Sequence, residues 1–257
     1  MTSLRVLPLI ALLMAVPLDP VAAQEETPQA FFEDFDTLSP NVWRVSDGWS
    51  NGRWQNCTWS NQNVTIENGI VTLWVTQASD TSTHDYRCGE IQTHRRFGHG
   101  TFEVRMRTGR GSGLNAAFFT YIGPVHNAPH DEIDVEILTK DTSRVSFNTY
   151  VSGEPHGGGT TLVPGGTETD FVHYAFEWSP DRIRWFVNGT SVHETRGPLP
   201  SNLQKIWLSY WSTATLTAWM GRFDTGALPA RLEVDWVGYT PLDDRCLFPA
   251  SITCAAR

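Results

Sequence analysis

The feature that most constrains this chain is alternation. From residue 24 onward, apolar and polar residues change places one by one in short runs, and a helical repeat is hard to find. In Thr101-Phe102-Glu103-Val104-Arg105-Met106-Arg107, an extended backbone puts Phe102, Val104 and Met106 on one face and the charges on the other. Residues 172–178 repeat the pattern, with Tyr174, Phe176 and Trp178 set against His173, Ala175 and Glu177. Ser179-Pro180-Asp181 then turns the chain, 182–187 alternates again, and Asn188-Gly189 turns it back. Asn-Gly between alternating runs signals a tight hairpin, because both residues tolerate the positive φ that such a turn requires. Further strands are expected at 64–66, 70–75, 116–121, 145–150, 206–211 and 231–239. Many short strands, frequent turns and no helices predict an all-β jelly-roll sandwich of two antiparallel sheets. No repeat or linker breaks the pattern, so residues 24–257 read as one domain with a C-terminal tail from about 241. Two segments read as long loops, Asn41 to Asn56 and Ser152 to Thr167, the second carrying six glycines. Ordered loops at a sheet end are where binding sites tend to be built.

One strand breaks the economy of the others. In Asp131-Glu132-Ile133-Asp134-Val135-Glu136-Ile137, the three acids Glu132, Asp134 and Glu136 share one face, and three apolar residues share the other. Like charges ~7 Å apart repel and give a strand nothing structural. Glycoside hydrolysis supplies a use for them, because it needs two carboxyl groups about one bond, one ionised and one protonated. Asp134, set between the two Glu, would hold one neighbour's pKa up and so separate the roles. Cα atoms four residues apart on a strand are ~13 Å apart, so both Glu would have to lean inward. A solvated acidic face or a cation-binding cluster is the competing reading of the pattern alone.

Composition narrows the partner. A net charge of −9 argues against nucleic acid and anionic membranes. A sandwich core would absorb much of the 11 Trp, 13 Phe and 6 Tyr, and Trp beyond its needs would suit a protein that stacks rings on sugar faces. At the start, Arg5, the apolar run 6–16 and Val21-Ala22-Ala23 form a secretory signal, 1–23, so the mature protein is expected outside the cytoplasm, extracellular or periplasmic. No later run approaches a membrane span. Four cysteines allow three pairings. The closeness of Cys246 and Cys254 in the tail favours joining those two, which leaves Cys57 with Cys88. His126 and His130 do not form a metal-binding helix motif, and Gly111-Ser112-Gly113 is no nucleophile elbow.

Glu132-Ile133-Asp134-Val135-Glu136 resembles the active-site signature of glycoside hydrolase family 16, the bacterial lichenases and their relatives, among which the ExoK-type β-glycanases look closest. The resemblance extends to residues 31–35, 47–52, 56–59, 97–103, 118–124 and 234–237, in the family's order and across nearly the whole mature chain. It implies a concanavalin-like jelly roll with a concave sugar cleft and a retaining endo-β-glucanase acting on a β-1,3-1,4-type glucan or related exopolysaccharide. Glu132 would be the nucleophile, Asp134 the assisting carboxylate and Glu136 the acid/base. Trp49, Asn51, Glu90, Gln92, His130, Asn148, Tyr150, Trp211 and Trp219 would line the subsites, and Cys57–Cys88 matches a family disulfide. No cofactor is implied for catalysis, but a structural calcium would be held by Asp235 and the carbonyl of Gly69. The chain is expected to act as a monomer on polysaccharide.

The chain departs from lichenases at four cleft positions: His130 stands where Trp is common, Gln55 replaces an aromatic, Gln92 an Arg and Ser209 an Asn. The catalytic trio is spared, and the subsites are altered. His130 would either stack on sugar or be solvated. A lectin or a transglycosylase on the same scaffold would share these residues and differ in what becomes of the bound sugar.

Overall fold

The alternating runs form strands because each presents one continuous apolar face to bury. The computed structural model describes residues 29–79 and 84–255; the expected leader lies outside the described residues. In chain order the strands begin with β1 Phe31–Glu33, β2 Trp43–Val45, β3 Cys57–Trp59, β4 Val64–Glu67, β5 Ile70–Gln77 and β6 Tyr86–Thr93. They continue with β7 Gly100–Thr108, β8 Leu114–Ile122, β9 Asp131–Leu138, β10 Arg144–Val151 and β11 Glu154–Leu162. The last five are β12 Val172–Trp178, β13 Ile183–Val187, β14 Thr190–Thr195, β15 Lys205–Ser212 and β16 Ala230–Pro241. Hydrogen bonding orders the central path β11-β10-β9-β8-β15-β6-β5-β16-β7-β12-β13-β14.

That path folds into two layers at β6. Its first residues, Tyr86 to Cys88, pair with β5 in the back sheet. Its later residues, Gly89 to Gln92, pair with β15 in the front sheet. The pairings are antiparallel except that short β3 runs parallel to β6. Between the layers lies one buried apolar cluster. Phe102 and Phe176 of the back sheet stack at 4.9 Å, and Phe118 of the front sheet meets Phe176 at 5.7 Å. Trp185 reaches across from β13 to donate its indole N–H to the Asp134 carbonyl at 3.0 Å, so the acid strand is braced from beneath.

Asn188 and Gly189 adopt φ of 47° and 76°, and the hairpin β13–β14 closes around them as expected. Three other expectations need correction. Residues 152–167 are not a loop for most of their length, since β11 pairs with β10 from Arg144↔Leu162 to Val151↔Glu154. Its glycines hide a strand because they answer a spatial need. A Cβ on Gly159 would lie 2.7 Å from the His193 ring, and one on Gly157 would lie 2.5 Å from the Thr195 hydroxyl. Glycine lets β14 close on β11, where His193 Nε2 bonds the Gly157 carbonyl at 2.7 Å. The segment 41–56 is also interrupted, by β2. Helix is not wholly absent, for Thr217–Met220 and Ile252–Ala255 each form one turn. No helix among the described residues is long and apolar enough to cross a membrane.

Both expected disulfides are present, Cys57–Cys88 and Cys246–Cys254. The first ties the segment leading out of 41–56 to β6. The second closes the tail, which docks on the back sheet: Phe248 packs 4.8 Å from Phe32, and Ser251 Oγ donates to the buried Glu103 at 2.6 Å.

Candidate active site

The front sheet's outer face is built from cross-strand rows that converge on β9. Glu132 pairs with Tyr121 and Tyr150, Asp134 with Phe119 and Asn148, and Glu136 with Ala117 and Ser146. Directly opposed residues share a face, so the acids project together. They do so into a groove of about 1080 Å³ whose lining includes all three acids, Trp49, Asn51, Glu90, His130, Asn148, Tyr150, Trp211 and Trp219. Beneath them Ile133, Val135 and Ile137 are fully buried in the core. The apolar back thus fixes the register that aims the acids outward.

Each carboxyl meets a different environment. Glu132 Oε2 accepts a hydrogen bond from His130 Nε2 at 2.5 Å. Asp134 is held well above its ordinary pKa by burial first, then by the charges of Glu132 and Glu136 and a hydrogen bond to Glu132. Burial also pushes Glu136 up to about 7; the Asn115 amide, which donates to Oε1 at 2.7 Å, pulls it down, and the Glu132 charge adds to the rise. Glu136 can therefore keep a proton up to about pH 7, and Asp134 holds one more tightly than an ordinary carboxyl, while Glu132 accepts from a histidine. Tyr150 is raised to about 12 by burial and by the same three acids, so it stays a phenol.

Across the groove Glu90 is buried and pushed up to about 8 by desolvation, against a 2.5 Å hydrogen bond from Ser46 Oγ and the charge of Arg44. Trp49 and Trp219 line the groove and remain partly open to solvent at 38% and 39%, so their rings are within reach of a ligand there. Trp211 and Trp219 lie 6.3 Å apart at 48°.

The structure gives particular partners to several residues that the sequence singled out. His130 lines the groove half-buried, with its ring on Tyr150 at 4.9 Å and 16° and its Nε2 bonded to Glu132. Gln92 is buried and outside the groove lining, where its amide oxygen accepts from Lys205 at 3.3 Å. Gln55 is also buried, and donates to the Cys57 carbonyl at 2.9 Å while its oxygen accepts from the Asn51 N–H at 3.0 Å, so it supports the wall rather than forming a subsite. The Asp235 carboxylate is ion-paired with Arg105, so a calcium ion held there would have to share or displace that partner.

Other site residues escaped the sequence reading. Trp54, Phe119, Tyr121 and Trp207 line the groove. The last three lie on alternating positions facing the acids, a signal that the strand order would have exposed. Asn115 and Asp131 carried no signal. Asp131 sits at the root of β9, where burial raises its pKa but bonds from Ser152, Asn202 and Ser201 outweigh it and leave it lowered. Its carboxylate thereby pins the start of the acid strand to two loops.

A jelly roll with carboxyl groups gathered on one strand face in an aromatic-lined trench, Asp134 and Glu136 among them raised by burial, defines a glycoside hydrolase. Comparison with known proteins makes the class specific. Residues 51–238 match the family model described as glycosyl hydrolases family 16. The chain is 50% identical over 230 residues to the endo-1,3-1,4-beta-glycanase ExoK of Rhizobium meliloti (strain 1021), covering 88% of this chain and 84% of that protein. It is 37% identical over 213 residues to a beta-glucanase of Paenibacillus polymyxa, covering 82% and 87%. A solved prokaryotic beta-1,3-1,4-glucanase (lichenase) derived from a mouse hindgut metagenome superposes with a TM-score of 0.80 at 36% identity, over 83% of this chain and 99% of that one. The chain belongs to glycosyl hydrolases family 16.

Proposed function

We propose that the protein is a secreted, retaining endo-β-glucanase that cleaves internal bonds of a β-1,3-1,4-type glucan or a related exopolysaccharide. The observation that carries the reading is the trio of carboxyl groups on one strand face, opening into the groove with Asp134 and Glu136 held above their ordinary pKa. Glu132 is the nucleophile, and the His130 hydrogen bond orients its carboxylate toward the anomeric carbon. Glu136, protonated up to about pH 7, gives its proton to the leaving oxygen as Glu132 forms the glycosyl ester. Glu136 then takes a proton from water, which attacks the same carbon and frees Glu132. Asp134 holds a proton between the two Glu and prevents three adjacent charges from forming at once. Relatives described as an endo-1,3-1,4-beta-glycanase and a beta-glucanase support the linkage. The apolar leader and the two disulfides support export. The three carboxyl groups and the aromatic rings around them come from one chain, and the protein is read as acting as a monomer.

The test is product release from a panel of β-glucans. Mixed-linkage glucan should lose viscosity quickly and release reducing oligosaccharides. Binding of the glucan with no new reducing ends would instead make the protein a lectin on this scaffold.

A further inference from the structure

Just beyond one end of the groove, next to its lining residues Trp207 and Tyr121, the front sheet gathers cations. The register runs Arg44↔Gln92, Gln92↔Trp207, Trp207↔Phe119 and Phe119↔Asp134, and one row over it runs Lys205↔Tyr121 and Tyr121↔Glu132. Opposed residues share a face, so Arg44 and Lys205 sit on the same side of the sheet as the acids, beyond Trp207. Lys205 is two strand spacings, about 10 Å, from the acid strand. Arg96 joins them because its neighbour Phe97 bridges Gln204, the residue before Lys205. The His126 ring lies over the same end, 6.3 Å from Trp207 and 6.0 Å from Tyr121.

These cations are not neutralised by the protein. Among the described residues no carboxylate forms an ion pair with Arg44, Arg96 or Lys205, although acids outnumber bases by 28 to 19 in the sequence. Among the described residues the Lys205 ammonium makes one hydrogen bond, to the Gln92 amide oxygen. The acid within reach of Arg44 is Glu90, which burial keeps protonated up to about pH 8. Burial followed by the charges of Arg96 and Arg44 lowers the Lys205 pKa; burial followed by Lys205, Arg96 and Arg44 lowers that of His126. The groups therefore feel one another, and the cost of gathering them falls away only when an anion arrives.

We propose that Arg44, Arg96 and Lys205 form a subsite for an acidic substituent, a carboxylate carried by the polysaccharide, at the β2–β6–β15 end of the groove. The assignment rests on the reading of that groove as the glucan-cleaving site. It makes the preferred substrate an anionic glucan rather than a neutral one. A chain lying across the sheet with its scissile bond at β9 would bring a side group two strands away to Lys205, with Arg44 and Arg96 beside it.

The experiment compares neutral mixed-linkage glucan with the same polymer partly carboxymethylated, using the wild-type enzyme and an Arg44→Gln, Lys205→Gln double variant. Removing a charge-assisted hydrogen bond should cost about tenfold or more in affinity. The ratio of kcat/KM for the acidic over the neutral polymer should therefore fall at least about tenfold in the variant, a ratio that general damage to the enzyme would not move. Calorimetry on the Glu132→Gln enzyme gives a second readout: affinity for a carboxymethylated oligosaccharide should weaken as salt rises, while affinity for its neutral counterpart should not. An unchanged ratio, or salt-independent binding of the acidic ligand, overturns the subsite. A wild-type enzyme that cleaves neither polymer yet binds the acidic one in a salt-sensitive way would keep the subsite and remove the glucanase reading.

Discussion

The two outer faces of the sandwich handle charge in opposite ways. On the back sheet acids meet arginines across the strands. Arg107 forms two bonds to Glu233 at 2.9 and 3.0 Å, Arg184 bonds Glu177 at 2.8 Å, and Arg105 pairs with Asp235. On the front sheet the acids of β9 meet one another, and the cations gather elsewhere on the same face. A folded protein with no use for the groove would interleave the two sets, as its back sheet does. The front sheet's arrangement therefore reports function, and the back sheet's reports stability.

Substitutions on the two faces should separate these costs. The largest effect is expected at Glu136. The wild-type kcat/KM should fall on the alkaline side through about pH 7, because the donor to the leaving oxygen must carry its proton. Glu136→Gln should lower kcat/KM by roughly 10²–10⁴ and erase that alkaline limb; a limb that persists in the variant would assign it to another group. Next comes Glu90, whose pKa is raised from 4.5 to about 8 by burial. A raised carboxyl binds its proton more tightly when folded, so its stabilising effect is complete below about 4.5 and is lost as pH climbs through about 8. Glu90→Gln keeps an acceptor for Ser46 and cannot ionise, so its melting temperature should exceed the wild type's by about 2–4 °C near pH 8.5, with no difference near pH 4. Equal melting curves across that range would show that Glu90 is not a cost. The smallest effect is expected on the back sheet. Arg107→Gln breaks a partly exposed pair worth at most about 1 kcal/mol and should leave glucan turnover unaltered, as measured by denaturant melts and a standard assay.

The same contrast explains what the sequence made legible. Alternation in 101–107 and 172–178 located strands because each run turns an apolar face into the core, although the tail covers Glu103 on the other face. The acid triplet was visible because it violates that pattern's economy. The strand at 154–162 was hidden because its glycines answer His193 and Thr195, more than thirty residues away in the chain. Gln55 and Gln92 looked like subsite residues, yet whether a glutamine supports a wall or faces a ligand depends on which loop closes above it. The cation cluster was invisible in the linear chain, since Arg44, Arg96 and Lys205 meet only through the order β2–β6–β15. Local propensity reaches strands and motifs; the partners of a buried polar group belong to topology.

Chemical rescue of Glu132→Ala tests the assignment of the acid strand most directly. With the nucleophile gone, turnover of an activated aryl β-glucoside oligomer should collapse. Azide, small enough to enter the vacated space on that face, should restore it and leave an α-glycosyl azide. A β-glycosyl azide would mean that Glu132 is the acid/base and that the two ends of the triplet have exchanged roles.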